Sequence, residues 1–513
     1  MTGMKFAAAA ALLTAVCFAE PALAQKSKDT LRFAFQRETK ALDSIQDAGI
    51  HTAFTQPAVF DTLMAYNEKT QSFEPSLAKS WTRVSPTVTE FELRDDVKWH
   101  DGQPFTADDV VYTINWVSDE NSKIRFRTNW EWLQGAEKVG PHKVRVISKR
   151  PTPFDFVTLG QNTPIMPKHL HEPYANKIDF APKSVGTGPY RLAVQDLNKE
   201  VLLERNEDYK HGGNWKTAGK VKRIQISLVP DYGTQVSHML AGNYDMLHSM
   251  PWPEAAGFEG RPGYRVEAYP SYSYVYLMFD ATGRSGVKPI QNPKVREALM
   301  AAINVQDIYK IIGGDTKLAM PEHICWKVQG GCDYTKLAPA FDADRAKKLL
   351  AEAGYPNGFE LEVYSADGLF RGVNEAVTGM FRKVGVTATS RAITRTALER
   401  QAREGKIPLF ATIWSGGGVP DVYQTMGFFF DGGEPATYIG HPELKDLAEK
   451  SSGEMDPAKR KDLVRQVMDG LMADYTLRAL VPNPNIYVLT PDVQITQTGM
   501  IAGAILPWGI AWK

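Results

Sequence analysis

The stretch that decides the fold runs from Leu77 to Trp116 and reads LAKSWTRVSPTVTEFELRDDVKWHDGQPFTADDVVYTINW. Residues 89–93 alternate between polar and apolar types, which predicts a strand. Asp101-Gly102 and the proline that follows are typical of a tight turn, because glycine tolerates a positive φ and proline fixes φ. Thr106 with Asp109 three residues later predicts a capped helix start. We interpret this strand, turn and helix as scaffold rather than as a ligand site.

The start of the chain has the pattern of a secretory signal peptide. Lys5 precedes an apolar run, residues 6–18, that is too short to span a bilayer. Ala22-Leu23-Ala24 fits the small-x-small cleavage rule, so we expect residues 1–24 to be removed. The residues before Cys17 do not resemble a lipoprotein cleavage box. We therefore expect a periplasmic protein that is exported without a lipid anchor.

The charge balance excludes some classes of partner. Lys plus Arg and Asp plus Glu both number 59, so the chain is formally neutral. A neutral chain argues against binding to nucleic acid or anionic membranes through bulk charge. No later run approaches the ~18 apolar residues that a membrane span needs, so the chain is not the pore of a transporter. Its length suits about three domains of ~150 residues, and we expect a monomer.

Two cysteines remain after the signal peptide, Cys325 and Cys332 in the segment ICWKVQGGC. Export places them in an oxidising compartment, and Gly330-Gly331 lets the segment fold back on itself. We favour a disulfide between them, used as a surface staple. Two free thiols or a metal site stay open, although only His323 is near enough in sequence to add a ligand.

The stretch from Leu77 to Trp116 closely resembles the N-terminal segment of the large solute-binding proteins that serve ABC importers of peptides, nickel and related solutes, solute-binding family 5. Three further blocks resemble this family in its own order. Residues 185–190 look like its GTGPY turn, 276–298 like its YLxFN…VRxA block, and 346–358 like its KAxxLLAEAGY block. Together they cover nearly the whole mature chain.

The resemblance implies an α/β fold of the type II periplasmic-binding-protein kind. Two lobes with mixed sheets would be joined by two crossing hinge strands, with an extra subdomain inserted in lobe I. The implied layout is the signal peptide at 1–24, lobe I at 25–67, 187–272 and 486–513, the insert at 68–186, and lobe II at 273–485. The hinge strands would lie near Ser271–Asp280 and Asn485–Thr490, and crossing strands of this kind permit closure around a ligand.

Two segments are candidates to contact a ligand between the lobes. In relatives the segment after the first strand lines the cleft, which makes Glu38 and Lys40 candidates, although a solvated loop is the alternative. Tyr272 and Tyr274 alternate along one predicted hinge strand, and Tyr487 lies on the other. Aromatic rings at these positions would form a stacking wall, or they would pack between the lobes.

The third candidate segment is Trp414–Tyr423, WSGGGVPDVY. Peptide-binding relatives carry W-x-x-D here, and that aspartate pairs with the free amine of the peptide. This chain has Gly417 at the position, and losing one partner of a buried ion pair typically costs about 3–5 kcal/mol. Asp421 would substitute if the loop shifted, and a turn or helix-cap role is the alternative. Trp414 suits stacking and Gly416 suits close backbone approach, or both form a turn beside the core.

The resemblance implies the substrate-binding component of an ABC importer, with separate permease and ATPase subunits. The missing amine anchor points to a modified peptide, an opine-like conjugate or an oligosaccharide as the solute. No G-x-S-x-G, H-E-x-x-H or phosphate-loop motif occurs, so we expect no catalytic residue and no cofactor. His169-Leu170-His171 is a weak metal pair, and we expect no metal site. A sensor that docks on a chemoreceptor, a periplasmic holdase and a secreted hydrolase are the competing functions.

Overall fold

The computed structural model describes residues 29–47, 49–125, 127–196, 199–313, 318–366, 369–415, 419–499 and 505–513. The predicted signal peptide, Gly416 and Gly417 lie outside these residues. Throughout the described ranges, strands and helices alternate along the chain, which agrees with the α/β class expected from the sequence.

The strands of the described residues are, in chain order, β1 (Thr30–Phe35), β2 (Met64–Asn67), β3 (Ser72–Pro75), β4 (Ala78–Ser85), β5 (Val88–Leu93), β6 (Leu133–Gly140), β7 (Lys143–Ser148), β8 (Tyr190–Asp196), β9 (Glu200–Arg205), β10 (Arg223–Leu228), β11 (Met246–Leu247), β12 (Arg265–Tyr269), β13 (Tyr274–Phe279), β14 (Glu360–Ala366), β15 (Thr387–Ile393), β16 (Leu409–Trp414), β17 (Leu477–Pro482), β18 (Asn485–Leu489), β19 (Val493–Ile495) and β20 (Ile510–Trp512). The helices are α1 (Ile50–Val59), α2 (Ala107–Ser118), α3 (Asp155–Val157), α4 (Lys168–His171), α5 (Tyr232–Leu240), α6 (Trp252–Ala256), α7 (Pro293–Ala301), α8 (Val305–Ile311), α9 (Ala343–Glu352), α10 (Leu369–Lys383), α11 (Arg395–Arg403), α12 (Tyr423–Gly427), α13 (Pro442–Ser451) and α14 (Pro457–Ala473).

The sheets define two lobes and an insert. The first lobe holds a four-stranded sheet in the order β1-β10-β9-β8, with β1 parallel to β10, and an antiparallel sheet β11-β18-β12. The second lobe holds the mixed sheet β15-β14-β16-β13-β17. The insert is an antiparallel sheet, β4-β5-β7-β6, against which α2 packs. The exact domain boundaries taken from the sequence stay a prediction.

The capped helix expected in the insert is confirmed. Thr106 N donates to Asp109 Oδ2 over 2.9 Å, and Asp108 N donates to Thr106 Oγ1 over 3.3 Å, which completes a capping box at the start of α2. Asp109 also accepts from Lys168 N over 2.9 Å. One buried carboxylate therefore starts α2 and ties a second helix of the insert to it.

The segment that resembles the GTGPY turn packs against the end of α1. A Cβ atom at Gly186 would lie 1.8 Å from Val59 O, so only glycine allows this approach. Gly188 N donates to the same carbonyl oxygen over 2.9 Å. Thr187 Oγ1 donates to Asp61 Oδ2 over 2.8 Å. The turn therefore holds α1 in place, and α1 contributes to the site described below.

Asp61 is a fully buried carboxylate just beyond α1. It accepts hydrogen bonds from the Tyr209 hydroxyl at 3.0 Å and from Lys216 Nζ at 2.6 Å, and His211 Nε2 lies 2.8 Å away. Burial opposes ionisation of Asp61, but Lys216 and His211 hold its pKa well below its usual value. This ionised centre anchors the part of the first lobe that faces the second.

Three helices of the second lobe begin at a capping side chain. Asn292, Asp342 and Asp456 cap α7, α9 and α14, each accepting a first-turn backbone N–H over 2.8–3.0 Å. Gly354 follows α9 with a φ of +91°, which explains why a glycine ends this helix. Local capping rules therefore sufficed for these helix ends.

The lobes are joined by two neighbouring connections, residues 270–273 between β12 and β13 and residues 483–484 between β17 and β18. Ser271 Oγ donates to Asn483 O over 2.8 Å, and Asn483 N donates to Ser273 O over 3.0 Å. Both connections pass from a first-lobe sheet to the second-lobe sheet. Two crossing connections were expected; one overlaps the start of the predicted hinge strand 271–280, and the other lies just before the predicted strand 485–490.

Three buried histidines make the fold sensitive to acid. Burial lowers the pKa of His171 and His248 to about 3 and that of His323 to about 4. An unfolded histidine has a pKa near 6.5. Below pH ~6.5 these histidines bind protons in the unfolded chain but stay neutral in the folded protein. Their contribution to the free energy of unfolding is therefore complete above pH ~6.5 and declines as the pH falls.

The free energy of unfolding of the wild type should fall between pH 7 and pH 5, and we predict that this fall is about 2 kcal/mol smaller in His248→Phe. One histidine with a lowered pKa accounts for about 1.4 kcal/mol per pH unit below 6.5. His248 packs among Phe33, Phe35 and Phe54, so phenylalanine suits the site. Chemical denaturation at both pH values measures the change. His238→Phe, at a half-buried position on α5, is the matched control, and an equal pH dependence in wild type and His248→Phe would contradict the assignment.

Candidate functional site

A cavity of about 1490 Å³ lies between the lobes. One face of α1 and its C-terminal end form part of its wall in the first lobe, since Thr52, Gln56 and Phe60 follow one another at intervals of four residues. The insert and the second lobe supply further walls. Ser273 and Asn483, from the two connections, line the cavity as well, so one end of it lies at the hinge.

Trp414, at the end of β16, lies on the second-lobe wall of the cavity. Its ring stacks on Phe428 with centroids 4.4 Å apart and an interplanar angle of 19°. Its Nε1 donates to Thr425 Oγ1 over 3.3 Å. The half-buried indole is therefore held in one orientation, as a stacking surface for a flat ligand requires. That Trp414 contacts cargo stays a prediction.

The hinge tyrosines occupy the interior instead of the cavity wall. Tyr272, Tyr274 and Tyr487 are all buried, and none is among the described residues that line the cavity. The Tyr274 hydroxyl donates to Ile324 O over 2.6 Å, and the Tyr487 hydroxyl accepts from Ile505 N over 3.3 Å. Of the two roles that the sequence left open, packing in the interior fits this placement. The sequence left both open because alternation of residues marks one face of a strand but does not show what covers that face.

Glu38 and Lys40 both lie exposed to solvent, and neither is among the described residues that line the cavity. Their segment does reach the cavity, but through the neighbouring Arg37. The backbone N–H of Lys40 donates to Asp47 Oδ2 over 3.0 Å, which folds the segment back on itself. The sequence analysis identified the segment that reaches the cavity but not the side chain that lines it, Arg37. Which residue of a loop faces inward depends on its tertiary contacts.

Asp421 is held in a buried ion pair. Its two oxygens accept from Arg460 Nη1 and Nη2, both over 2.7 Å, and Tyr423 N donates to Asp421 Oδ1 over 2.8 Å. Only 4% of Asp421 is exposed, and it is not among the described residues that line the cavity. A ligand ammonium would have to displace Arg460. Asp421, which the sequence analysis considered as a substitute partner for a ligand amine, is thus engaged by Arg460.

A disulfide joins Cys325 to Cys332, and the loop that it closes supports the segment around Asp421. Gly330 N donates to Pro420 O over 2.7 Å, and Val422 N donates to Gly330 O over 3.0 Å. On its other side, Trp326 Nε1 donates to Tyr272 O in the hinge connection over 3.1 Å. The loop therefore links the hinge to the segment that precedes α12.

Tyr423, the first residue of α12, makes a direct contact with the insert across the cleft. Its ring stacks on Phe154 with centroids 4.2 Å apart and an interplanar angle of 7°. Asn162 Nδ2 donates to the Tyr423 hydroxyl over 3.5 Å, and Gln424 Nε2 donates to Asn129 Oδ1 over 3.3 Å. We call these five residues the closure contact. The sequence gives no local signal for the closure contact, since Phe154 and Tyr423 belong to distant segments.

The histidine pair noted in the sequence lies inside the insert. His171 hydrogen-bonds with the Tyr112 hydroxyl through Nδ1 at 2.6 Å and lies against Trp116. His169 Nε2 lies 2.7 Å from Asp101 Oδ2. The two imidazoles therefore engage different partners. Among the described residues no group of three or more His, Cys, Asp or Glu side chains is arranged to hold a metal ion.

Two lobes, a hinge of two connections and an interlobe cavity define a solute-binding protein of the type II periplasmic class. The profile of the bacterial extracellular solute-binding proteins, family 5 (middle), matches residues 72–437. The chain belongs to this family, and its role is that of a solute-binding component of an ABC importer.

Curated relatives and a solved structure are similar to this chain, the latter in its fold. Heme-binding protein A of Haemophilus influenzae is 25% identical over 448 residues, covering 80% of this chain and 78% of the relative. The glutathione-binding protein GsiB of Pectobacterium atrosepticum is 27% identical over 419 residues, covering 78% of each chain. The structure of HbpA2 from Haemophilus parasuis superposes with a TM-score of 0.79 at 22% identity, covering 94% of this chain and all of that one. Among the described residues, no helix is both long enough and apolar enough to cross a membrane.

We predict that Arg460→Met lowers the free energy of unfolding by about 3–5 kcal/mol, because it leaves the Asp421 carboxylate buried without its partner. The double variant Asp421→Asn/Arg460→Met is expected to recover part of this loss. Arg465→Met, in a surface pair with Asp462 on the same helix, should cost about 1 kcal/mol or less. Denaturant titrations measure all three, and equal losses for the Arg460 and Arg465 variants would refute the buried pair.

We predict that Tyr423→Ala opens the ligand-free protein. Loss of the stacked pair removes about 1 kcal/mol of preference for the closed arrangement, which changes the ratio of closed to open molecules about fivefold. Small-angle scattering should show a larger radius of gyration than for wild type. Tyr355→Ala is the control, because Tyr355 is a partly buried second-lobe residue outside the described lining of the cavity. Superimposable profiles for wild type and Tyr423→Ala would exclude a role in closure.

Proposed function

We propose that this protein captures a peptide-like solute in the periplasm by closing its lobes and hands the solute, chemically unchanged, to a membrane permease driven by separate ATPase subunits. The observation that carries the proposal is the interlobe cavity, bounded by the hinge connections and bridged by the closure contact. Family membership supports it, because the relatives found are solute-binding proteins.

The proposed cargo has no free α-ammonium group at the anchor position, where peptide-binding relatives hold such a group with a carboxylate. Gly417 stands at that position in the sequence, and Asp421 is committed to Arg460. A modified peptide, an opine-like conjugate or an oligosaccharide meets this condition.

The cavity size supports a cargo larger than a dipeptide. Typical small-molecule pockets measure about 300–1,000 Å³, and this cavity exceeds that range at about 1490 Å³. Its wall combines aromatic rings such as Trp414 and Tyr66 with polar side chains such as Gln56 and Asn485. An amphipathic solute of several linked units fits both the volume and the mixed chemistry, with ordered water filling what remains.

We predict that dipeptides with a free α-amine bind more weakly than 1 µM, whereas their N-acetylated forms bind at least about tenfold tighter, because a buried ammonium without a counter-ion is costly. Isothermal titration against a matched panel measures both. Gly417→Asp places a carboxylate at the position that the relatives use, and it should raise affinity for the free-amine set about tenfold. Submicromolar binding of ordinary dipeptides by wild type would refute the proposed cargo class.

A further inference from the structure

Gln161 lies on the cavity wall in a π-helical turn, Thr158–Asn162, which follows α3. Single turns of this kind are rare in proteins, and they occur frequently at functional sites. Gly160 and Asn162 of the same turn also line the cavity. The local backbone geometry therefore makes this turn a candidate for contact with cargo.

The backbone of the turn is held by side chains from α1 and from the segment after α1. Gln56 Nε2 donates to Gln161 O over 2.6 Å, and Thr62 Oγ1 donates to Gly160 O over 3.0 Å. Gln56 is itself fixed, because its Oε1 accepts from Ser44 N over 2.7 Å. Supporting hydrogen bonds of this kind fix the point from which the side chain of Gln161 extends, as a binding residue requires.

The neighbouring amide side chains on the wall are hydrogen-bonded within the protein. Asn162 Nδ2 donates to the Tyr423 hydroxyl, and Gln424 Nε2 donates to Asn129 Oδ1, both in the closure contact. Gln161 differs: within the described ranges neither its Nε2 nor its Oε1 has a hydrogen-bond partner, although both atoms are buried. A carboxamide offers two donors and an acceptor oxygen, and burying it without partners is unfavourable. The fold therefore leaves hydrogen-bonding capacity at Gln161 that the described part of the protein does not use.

The amide of Gln161 can turn toward the cavity at little cost. Gln161 is half-buried and lines the cavity, and the terminal torsion of a glutamine side chain has a broad energy profile. Such a rotation breaks no hydrogen bond to any residue that the structure describes. An amide group of a solute presents a carbonyl oxygen and an N–H, which complement the donor and the acceptor of a carboxamide. A solute of this kind would therefore satisfy both ends of the Gln161 amide at once.

We propose that Gln161 is a specificity-determining residue that recognises an amide group of the cargo. Gln161 Nε2 donates to the carbonyl oxygen of that amide, and Gln161 Oε1 accepts from its N–H. Because the next residue, Asn162, belongs to the closure contact, cargo held at Gln161 is placed where the lobes meet. The inference rests on the proposed function and deepens it. It selects modified peptides over oligosaccharides and over opine-like conjugates that are joined through a secondary amine.

The first experiment identifies what the cavity retains. Full-length protein is incubated with a solute extract of bacterial cells, washed and denatured, and released compounds are identified by mass spectrometry. Wild type is expected to release compounds that carry an amide, and Gln161→Met is expected to release about tenfold less of them. Release only of compounds without an amide overturns the inference and leaves the proposed capture of a solute intact. Release of nothing from wild type overturns the proposed function itself, and the inference with it.

The second experiment uses N-acetyl-phenylalanyl-alanine and two analogues, each with one of its two amide groups replaced by an ester. An ester keeps the carbonyl oxygen but has no N–H to donate to Gln161 Oε1. In isothermal titrations, wild type should bind one analogue at least about tenfold more weakly than the parent, and this difference should vanish in Gln161→Met. Equal binding of all three compounds by wild type, or an undiminished difference in Gln161→Met, overturns the proposal. Wild type that binds none of them overturns it as well, because these amides are then not recognised.

Gln46→Met is the matched control. Gln46 Nε2 is likewise buried without a hydrogen-bond partner among the described residues, whereas Gln46 lies outside the described lining of the cavity. This variant should match wild type for all three compounds.

Thermal melts test the observation from which the proposal starts. Gln161→Met should melt at or above the wild-type temperature, since methionine replaces an amide without partners by an unbranched apolar side chain. A lower melting temperature in Gln161→Met than in Gln46→Met would show that the protein itself bonds the Gln161 amide, and it would overturn the proposal.

Discussion

The structure depends on the constraint that its two lobes are joined by a hydrogen-bonded pair of short connections, residues 270–273 and 483–484. Each connection continues directly into strands of both lobes, which leaves few dihedral angles free to change. Two short connections of this kind permit rotation of one lobe against the other about the pair. The cavity lies beside the hinge, so the same rotation opens or shuts it.

A rigid path within the second lobe runs from the hinge to the closure contact. The disulfide loop binds Tyr272 O through Trp326 and binds the segment before α12 through Gly330. The Asp421–Arg460 pair fixes that segment from its other side. A buried ion pair adds little net stability, but it holds the segment before α12 in a single geometry. These contacts hold Tyr423 in position to stack on Phe154.

Local physics explains which predictions from sequence were confirmed. Thr106 caps α2 through residues two and three positions away, so the prediction of this helix start did not depend on distant segments of the chain. The two crossing connections were found as the family resemblance implied, and the capped helix of the insert was found as Thr106 and Asp109 predicted. Candidate ligand residues fared differently: Tyr274 packs inside the second lobe and Glu38 faces solvent, because inward and outward are decided by the partner surfaces.

By itself, the sequence determined the α/β class, the family and the capped start of α2, since each depends on residues that are near neighbours in the chain. Only the tertiary structure decided that Asp421 belongs to Arg460, that Tyr423 meets Phe154, and that Arg37 and Arg125 converge on Asp47. These contacts join segments tens to hundreds of residues apart. Their geometry follows from how the lobes and the insert pack, which no local pattern of residues encodes.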